Sequence, residues 1–465
     1  MRTTVFAVGL GLALAGNAAL GQWSEPVVLG DSCYAWVGGP ALVATRADTI
    51  WAIWRVRLPD YHDYLTGRRF AGDSWAASER LTPDSSWYQY PDGLRDEQGR
   101  VLVAYYRGSY PISGPVGFED WGIYTVTRTD TGWSEPELAH DVREEFPFGI
   151  RLGRDRQGGV AMTWEEGSGG IPHTGSVMLS RRTPEGWTPR RRLAQGNVGI
   201  SYGGASLVPG DSTDFYLAFS GRQREPPYAC SLQVWTADDT LVAGPTRFGG
   251  SGLLARTGER RYLALRQADS LFASVNRGQG WEPPALVSDD ARGYYWLAAD
   301  STGFAWLAWT DSLGQAVLAS YHAGNFWARP ETVALGQGLS HVRIAATPGG
   351  RAHCCWLAPS GGLSSVHWAT RQTMPGVEDA AGDGRGRTGY GPTIVRGALR
   401  LDANLGHDPG SENRSGSCPA FLLDATGRRV MELQPGENDV RHLSPGVYFV
   451  RGQDTGESAR LVLLR

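Results

Sequence analysis

Aromatic, acidic and arginine side chains gather in two sets of connecting segments along this chain. One set carries Tyr34, Trp36, Trp87, Tyr88, Glu144, Glu145, Tyr294 and Tyr295. The other carries Tyr61, His62, Asp63, Arg107, Glu165 and Arg222. Rings stack on the C–H faces of sugars, and carboxylates and guanidinium groups fix hydroxyls by hydrogen bonds. Together they suit a polyhydroxylated ligand, a glycan or another extracellular polymer. Aromatics at strand starts also wedge between packed sheets, so each of these residues has a packing role open to it.

Catalysis has less behind it. Glu165 and Glu166 are neighbours, and on an extended segment neighbours point to opposite faces, a poor arrangement for a glycosidase pair. His353, Cys354 and Cys355 are metal-ligand types without CxxC spacing or a second cluster, so they read as core and no metal is expected. Nothing calls for a cofactor, and a monomer is expected.

Composition narrows the field. The formal net charge is −4, which gives no reason to expect a nucleic-acid partner. All 44 basic side chains counted as Lys or Arg are Arg, so Schiff-base chemistry on a lysine is excluded. Arg2 followed by an apolar run over residues 5–20 reads as a signal peptide ending near residue 21. No later stretch is apolar enough to span a bilayer as a helix. Secretion or display at a bacterial surface is the expectation. Five Cys is an odd number for an exported chain, so buried free thiols are expected, with one disulfide through Cys33 or Cys230 left open.

The elements that would position these side chains come from two interleaved repeats. The first is a Trp-Ser-x-Pro phrase followed by apolar residues. It stands at Trp23-Ser24-Glu25-Pro26 and Trp133-Ser134-Glu135-Pro136, and in looser form at Trp75, Trp187, Trp281 and Trp327. A degenerate copy at Gly244-Pro245, with Val242 in the Trp place, makes seven. The second is a turn followed by an aromatic-rich strand, as in Val101-Leu102-Val103-Ala104-Tyr105 or Phe304-Ala305-Trp306-Leu307-Ala308-Trp309, again seven times. Spacings of 39 to 58 residues with short strands fit propeller blades, which bury both faces by stacking around an axis. The predicted fold is an all-β, seven-bladed β-propeller, with six blades as the alternative. The Trp23 phrase has no strands before it, and the last unit, ending near Ala369, lacks an outer strand. The termini are therefore predicted to close the ring, which removes exposed edges. Residues 22–373 would form the propeller, 374–392 a Gly-, Asp- and Arg-rich linker, and 393–465 a small Ig-like β-sandwich.

Ser274-Val275-Asn276-Arg277-Gly278-Gln279-Gly280-Trp281 resembles the Asp-box of sialidase-like propellers, with Asn276 in place of the Asp and Gly280 in place of the Thr. Ser180 to Trp187 and Ser320 to Trp327 keep the Ser-to-Trp spacing alone. The resemblance implies the fold and a structural turn, not a site. A sialidase would further need three converging Arg, a Tyr–Glu pair and an Asp acid. The early F/Y-R-I-P phrase of that family is absent, the matching region reading Tyr34-Ala35-Trp36-Val37. A sialidase-like exo-glycosidase is accordingly the second reading of function, and a structural surface protein with a protein partner the third. In the tail, Leu423-Asp424-Ala425-Thr426-Gly427-Arg428-Arg429, Gly446-Val447-Tyr448 and the closing Arg460-Leu461-Val462-Leu463-Leu464-Arg465 resemble a type IX secretion C-terminal sorting domain. That resemblance implies the type IX machinery as a partner.

Overall fold

The computed structural model describes residues 23–372 apart from positions 34–37, 47–48, 59–62, 83–85, 109–120, 143–145, 156, 168–174, 199–205, 210–214, 223–229, 237–240, 243–251, 292, 301–303, 323–325 and 348–350. Beyond residue 372 it describes 393–395, 398–401, 420–424, 428–434, 436–440, 442–444, 446–452 and 458–463. Among the described residues every element is a strand, and no helix is long and apolar enough to cross a membrane.

The chain forms a β-propeller. The innermost strands Ala41–Arg46, Trp87–Arg95, Phe146–Arg154, Ser206–Pro209, Gly252–Thr257, Tyr295–Ala299 and Ser340–Ala346 lie side by side in that order, and the last returns to the first. Behind each stands an apolar strand that is flanked by other sheets on both faces. Val160–Gly167 and Ala305–Thr310 are buried along their whole length for this reason, which is why they read as continuous runs instead of alternating ones.

Hydrogen bonding divides the ring into six sheets, the alternative count, where the motifs predict seven blades. The difference has one cause. Strand Arg191–Val198 reaches strand Phe215–Arg222 of the next unit through Val198 and Gly221, so two repeat units share one nine-stranded sheet. The Gly244-Pro245 copy lies outside the described residues, and Val242 before it pairs with Val234.

The Trp phrases occupy equivalent outer positions. Trp75, Trp133 and Trp187 sit in two-residue strands, while Trp23, Trp281 and Trp327 make single bridges. The residue after each Trp donates its backbone N–H to the neighbouring strand, as in Ser134 to Thr127 O at 2.9 Å and Ala328 to Tyr321 O at 2.8 Å. The Asp-box-like serines serve the same place. Ser180, Ser274 and Ser320 each donate a hydroxyl to the carbonyl of the residue following the Trp, at 2.7, 2.6 and 2.7 Å. Asn276, in the Asp position, accepts the Gly278 N–H at 2.8 Å, and Gly278 has a φ of 97° that disfavours any side chain. The box is a turn at the outer edge.

The predicted closure is present. Strand Val27–Cys33 is the outermost member of the last sheet, with Val27 opposite Trp368 and Val28 opposite His367. Ser24 donates its N–H to Thr370 O at 2.8 Å and accepts the Thr370 N–H at 3.0 Å on its hydroxyl. Glu331 ties both ends, accepting from Trp23 Nε1 at 3.1 Å and from Arg371 Nη2 at 2.7 Å.

In the tail, a five-stranded sheet runs Thr393–Val395, Ser458–Leu463, Gly446–Gly452, Ala420–Asp424, Arg429–Leu433, and Ala398–Leu401 pairs with Gly436–Asp439. Leu422, Leu433, Val440 and Tyr448 form its core.

Candidate functional site

Tight turns fix where four of the innermost strands end. Asp96 Oδ1 accepts the N–H groups of Gln98 and Arg100, Asp155 Oδ1 that of Gly159, and Asp300 Oδ1 that of Phe304. Thr347 takes the corresponding place, its hydroxyl donating to Arg351 O at 3.3 Å. Four residues before these turn residues stand Asp92, Arg151, Trp296 and Arg343. They occupy the same level of four inner strands, each three residues before its strand ends.

The shared level brings them together. The Arg343 guanidinium lies 3.9 Å from the Trp296 ring centroid and that of Arg151 lies 4.2 Å from it. Cations over an indole face are attracted by its quadrupole. Arg151 is 4.0 Å from Asp92, whose other carboxylate oxygen accepts the Leu152 N–H at 2.7 Å. Arg343 donates to Val342 O at 3.1 Å.

Burial strains these charges. It pushes the Asp92 carboxyl up, against the opposing pull of Arg151 and the Leu152 N–H. It pulls Arg151 down, with Asp92 and then Glu165 acting against it. Arg343 is held at about 9 by burial and by the like charge of Arg151. The Arg151 Nε is buried without a hydrogen-bond partner.

Backbone irregularities aim the charged members. The pairing slips between Gln89 and Asp92, Phe148 and Arg151, and Ser340 and Arg343. Inside each slip one residue is left-handed, Tyr90 at φ 50°, Gly149 at φ 54° and His341 at φ 52°. Bulges turn a side chain out of the pleat, and here the residue two places on is the charged one. Trp296 follows no such slip, its strand pairing regularly with Ala305–Thr310.

Toward the mouth formed by the connections into the inner strands, the Tyr294 ring stacks on His341 with centroids 3.8 Å apart and planes at 26°. Tyr294 is 44% exposed and His341 is buried. A Cβ on Gly39 would stand 2.7 Å from His341 Cβ, so only glycine lets that segment pass. At the opposite, turn-lined end a cavity of about 350 Å³ is bounded by Thr45, Arg95, Arg154 and Asp300 among others.

No protein-family model and no curated protein matches the chain. Among solved structures it is similar to a protein of unknown function from Dyadobacter fermentans DSM 18053, at 14% identity over 75% of this chain and 98% of that one, TM-score 0.46. It is similar to the polysaccharide lyase Uly1 at 11% identity over 74% and 93%, TM-score 0.48. It is similar to the intramolecular trans-sialidase from Ruminococcus gnavus at 9% identity over 74% and 96%, TM-score 0.38. These neighbours are sialidase-like and related β-propeller proteins at low identity. What they act on belongs to them.

The residues predicted from sequence fall in different places. Tyr294 is exposed at the mouth, while Tyr295 beside it is buried opposite Trp309. Tyr88 is fully buried, edge-on to Tyr105 at 5.4 Å, so its ring packs between sheets. Asp63 is fully buried and paired with Arg55 at 3.1 Å and with Arg57. Glu165 is fully buried, opposite Phe148 and Val177. Arg107 is half-buried over the Tyr124 ring at 5.2 Å. Trp87 pairs through its backbone with Gly108, and Arg222 with Cys230; their side chains, like Tyr34, Trp36, Tyr61, His62, Glu144 and Glu145, lie outside the described residues.

His353 sits in the core, stacked on Trp368 with Cys354 and Cys355 beside it as buried free thiols. Among the described residues no group of His, Cys, Asp and Glu is placed to hold a metal ion. Cys33 is also free and buried, its thiol donating to Arg55 O at 3.0 Å. The Cys230 side chain lies outside the described residues.

Sequence reading by connecting segment misses Asp92, Arg151 and Arg343 because they stand inside strands. The signal for them is the fixed offset before each turn.

Proposed function

We propose that this chain binds a glycan at the mouth of its central channel and does not hydrolyse it. The observation that carries the reading is the exposed Tyr294 ring stacked on His341, the two standing two residues ahead of Trp296 and Arg343 in the chain. A rigid aromatic shelf beside fixed polar groups suits sugar stacking, since little side-chain entropy is lost on binding. Binding is favoured over hydrolysis because the two candidate carboxylates among the described residues, Asp63 and Glu165, are fully buried. An acid and a nucleophile must reach the glycosidic bond from either side.

Within this reading the nine-stranded sheet carries two repeat units, so seven units build the ring. The apolar leader over residues 5–20 and the tail motifs support export and then handling by the type IX machinery, with residues 393–465 as an Ig-like sorting domain. Deleting that tail in a competent host should abolish surface delivery; unchanged delivery would leave it an accessory domain.

The test of binding uses the full mature chain on a glycan array, beside Tyr294→Ala. The variant should lose about tenfold in affinity for the bound glycans, the size expected when one aromatic shelf is removed. Equal binding by both chains, or silence across the array, would sink the reading. Release of free sugar from a bound glycan would overturn its non-catalytic part.

A further inference from the structure

We propose that the turn-lined end of the channel, opposite the mouth that carries Tyr294, is a second binding site, and that it takes a small amphipathic monocarboxylate. The ground is the strand position three residues beyond Asp92, Arg151, Trp296 and Arg343. There the same four units present Arg95, Arg154, Ala299 and Ala346, each the last residue of its innermost strand. All four line the cavity of about 350 Å³. The two arginines stand on adjacent strands, and so do the two alanines. In ring order one innermost strand separates the pairs on one side and two on the other, so they face each other across the axis. One wall is therefore cationic and the other small and apolar, with Leu42 extending the apolar surface between them. The volume is near the low end for small-molecule sites, which admits a short ligand.

The arginines have a structural task and donors beyond it. Arg95 donates Nη1 to Thr45 O on the neighbouring innermost strand at 2.5 Å, and Arg154 donates Nε to Gly158 O in its own turn at 3.4 Å. A guanidinium carries five N–H donors in a planar fork that matches a carboxylate. Among the described residues no carboxylate lies within ion-pair reach of either arginine. Asp300 lines the cavity too, its Oδ1 accepting the Phe304 N–H at 3.1 Å. Two guanidinium groups against one carboxylate leave a single positive charge for the ligand, so a monoanion fits and a dianion meets repulsion. The alanine wall sets the rest. A methylene or aromatic body is buried against it, while a compact hydrated anion gains nothing there.

The experiment titrates the full mature chain calorimetrically with hexanoate, hexanamide, succinate and inorganic phosphate. Hexanoate should bind at least about tenfold more tightly than hexanamide, in keeping with a charge-assisted hydrogen bond, and more tightly than succinate or phosphate. Arg154→Met should bring hexanoate to the hexanamide level, and Arg154→Lys should recover part of the difference. Ala299→Leu fills the apolar wall without altering charge and should weaken hexanoate by about tenfold. Tyr294→Ala should leave hexanoate binding as it is. Thermal midpoints close to the parent's would show that each variant is folded, and Arg95→Met takes the place of Arg154→Met if that chain does not fold. Heat from none of the probes overturns the proposal, as does hexanamide binding as tightly as hexanoate, or unchanged hexanoate binding by a folded Arg154→Met chain. Phosphate or succinate binding above hexanoate overturns the ligand class, and loss of hexanoate binding in Tyr294→Ala overturns the location by placing the ligand at the mouth.

Discussion

The outer edge of the propeller and its inner channel repeat the same backbone with opposite tolerance for change. At the edge, six Trp phrases make the same backbone hydrogen bond, and three serines make the same hydroxyl bond to the residue after the Trp. In the channel, one strand position holds Asp92, Arg151, Trp296 and Arg343 in four different units. The edge has a mechanical task common to all units, so one chemical answer serves each. The axis is shared, so different units contribute to one constellation and need not resemble their neighbours. Repetition therefore marks what holds the ring, and its failure at a repeated position marks where chemistry can be placed.

The largest effect expected from breaking this contrast is at the seam. Trp306 is 1% exposed and meets Trp23 edge-on at 6.2 Å, with Arg371 over its ring. Trp306→Ala should cost about 3–5 kcal/mol in equilibrium urea unfolding, through lost burial plus a cavity. A loss below about 1 kcal/mol would show that the seam relaxes and that closure does not depend on it.

Next comes acid. His341 has its acidity pulled to about 3, first by burial and then by Arg343, so the folded chain keeps it neutral. Unfolded, it protonates near the ordinary value of about 6.5. Its contribution to stability is whole above that value and is lost as pH falls toward 3. At pH 5 the loss should be about 2 kcal/mol, from roughly 1.4 kcal/mol per pH unit. His341→Asn, tolerated in the left-handed backbone, should flatten the slope between pH 7.5 and 5 by about that amount. An unchanged slope would mean that the inner strand titrates in the open.

The smallest is at the edge turn. Ser274→Ala removes one buried hydroxyl bond to Glu282 O and should cost about 1 kcal/mol, leaving glycan affinity unchanged. A change in affinity would couple the two regions and blur the contrast.

Much of the edge was legible in sequence because its residues recur in phrases. Trp133-Ser134 and Ser274 to Trp281 announce their bonds by spacing alone, and the missing outer strand after Ala369 implied the pairing with Val27. Blade count was harder, since nothing in the repeat warns that Val198 will reach Gly221. The channel was least legible. Tyr88 and Asp63 have the composition of a binding face, yet packing turns one between sheets and locks the other between two arginines. Composition names the side chains; the bulges at Tyr90, Gly149 and His341 decide which of them face the axis, and only His341 and Tyr90 lack the glycine that would advertise a left-handed residue.

Ring closure also sets an order in time. Ser24 and Thr370 are 346 residues apart in the chain, so the strand made near the beginning has no sheet to join until nearly the whole ring has emerged. Contacts of such long separation slow folding, because the entropy of closing the loop is spent before any bond rewards it. Until then the last sheet shows a bare edge at Val366 and Trp368, open to any passing strand. The final docking of residues 23–33 is thus the step at which an incomplete ring covers that edge, and the step at which crowding with sibling chains would divert it.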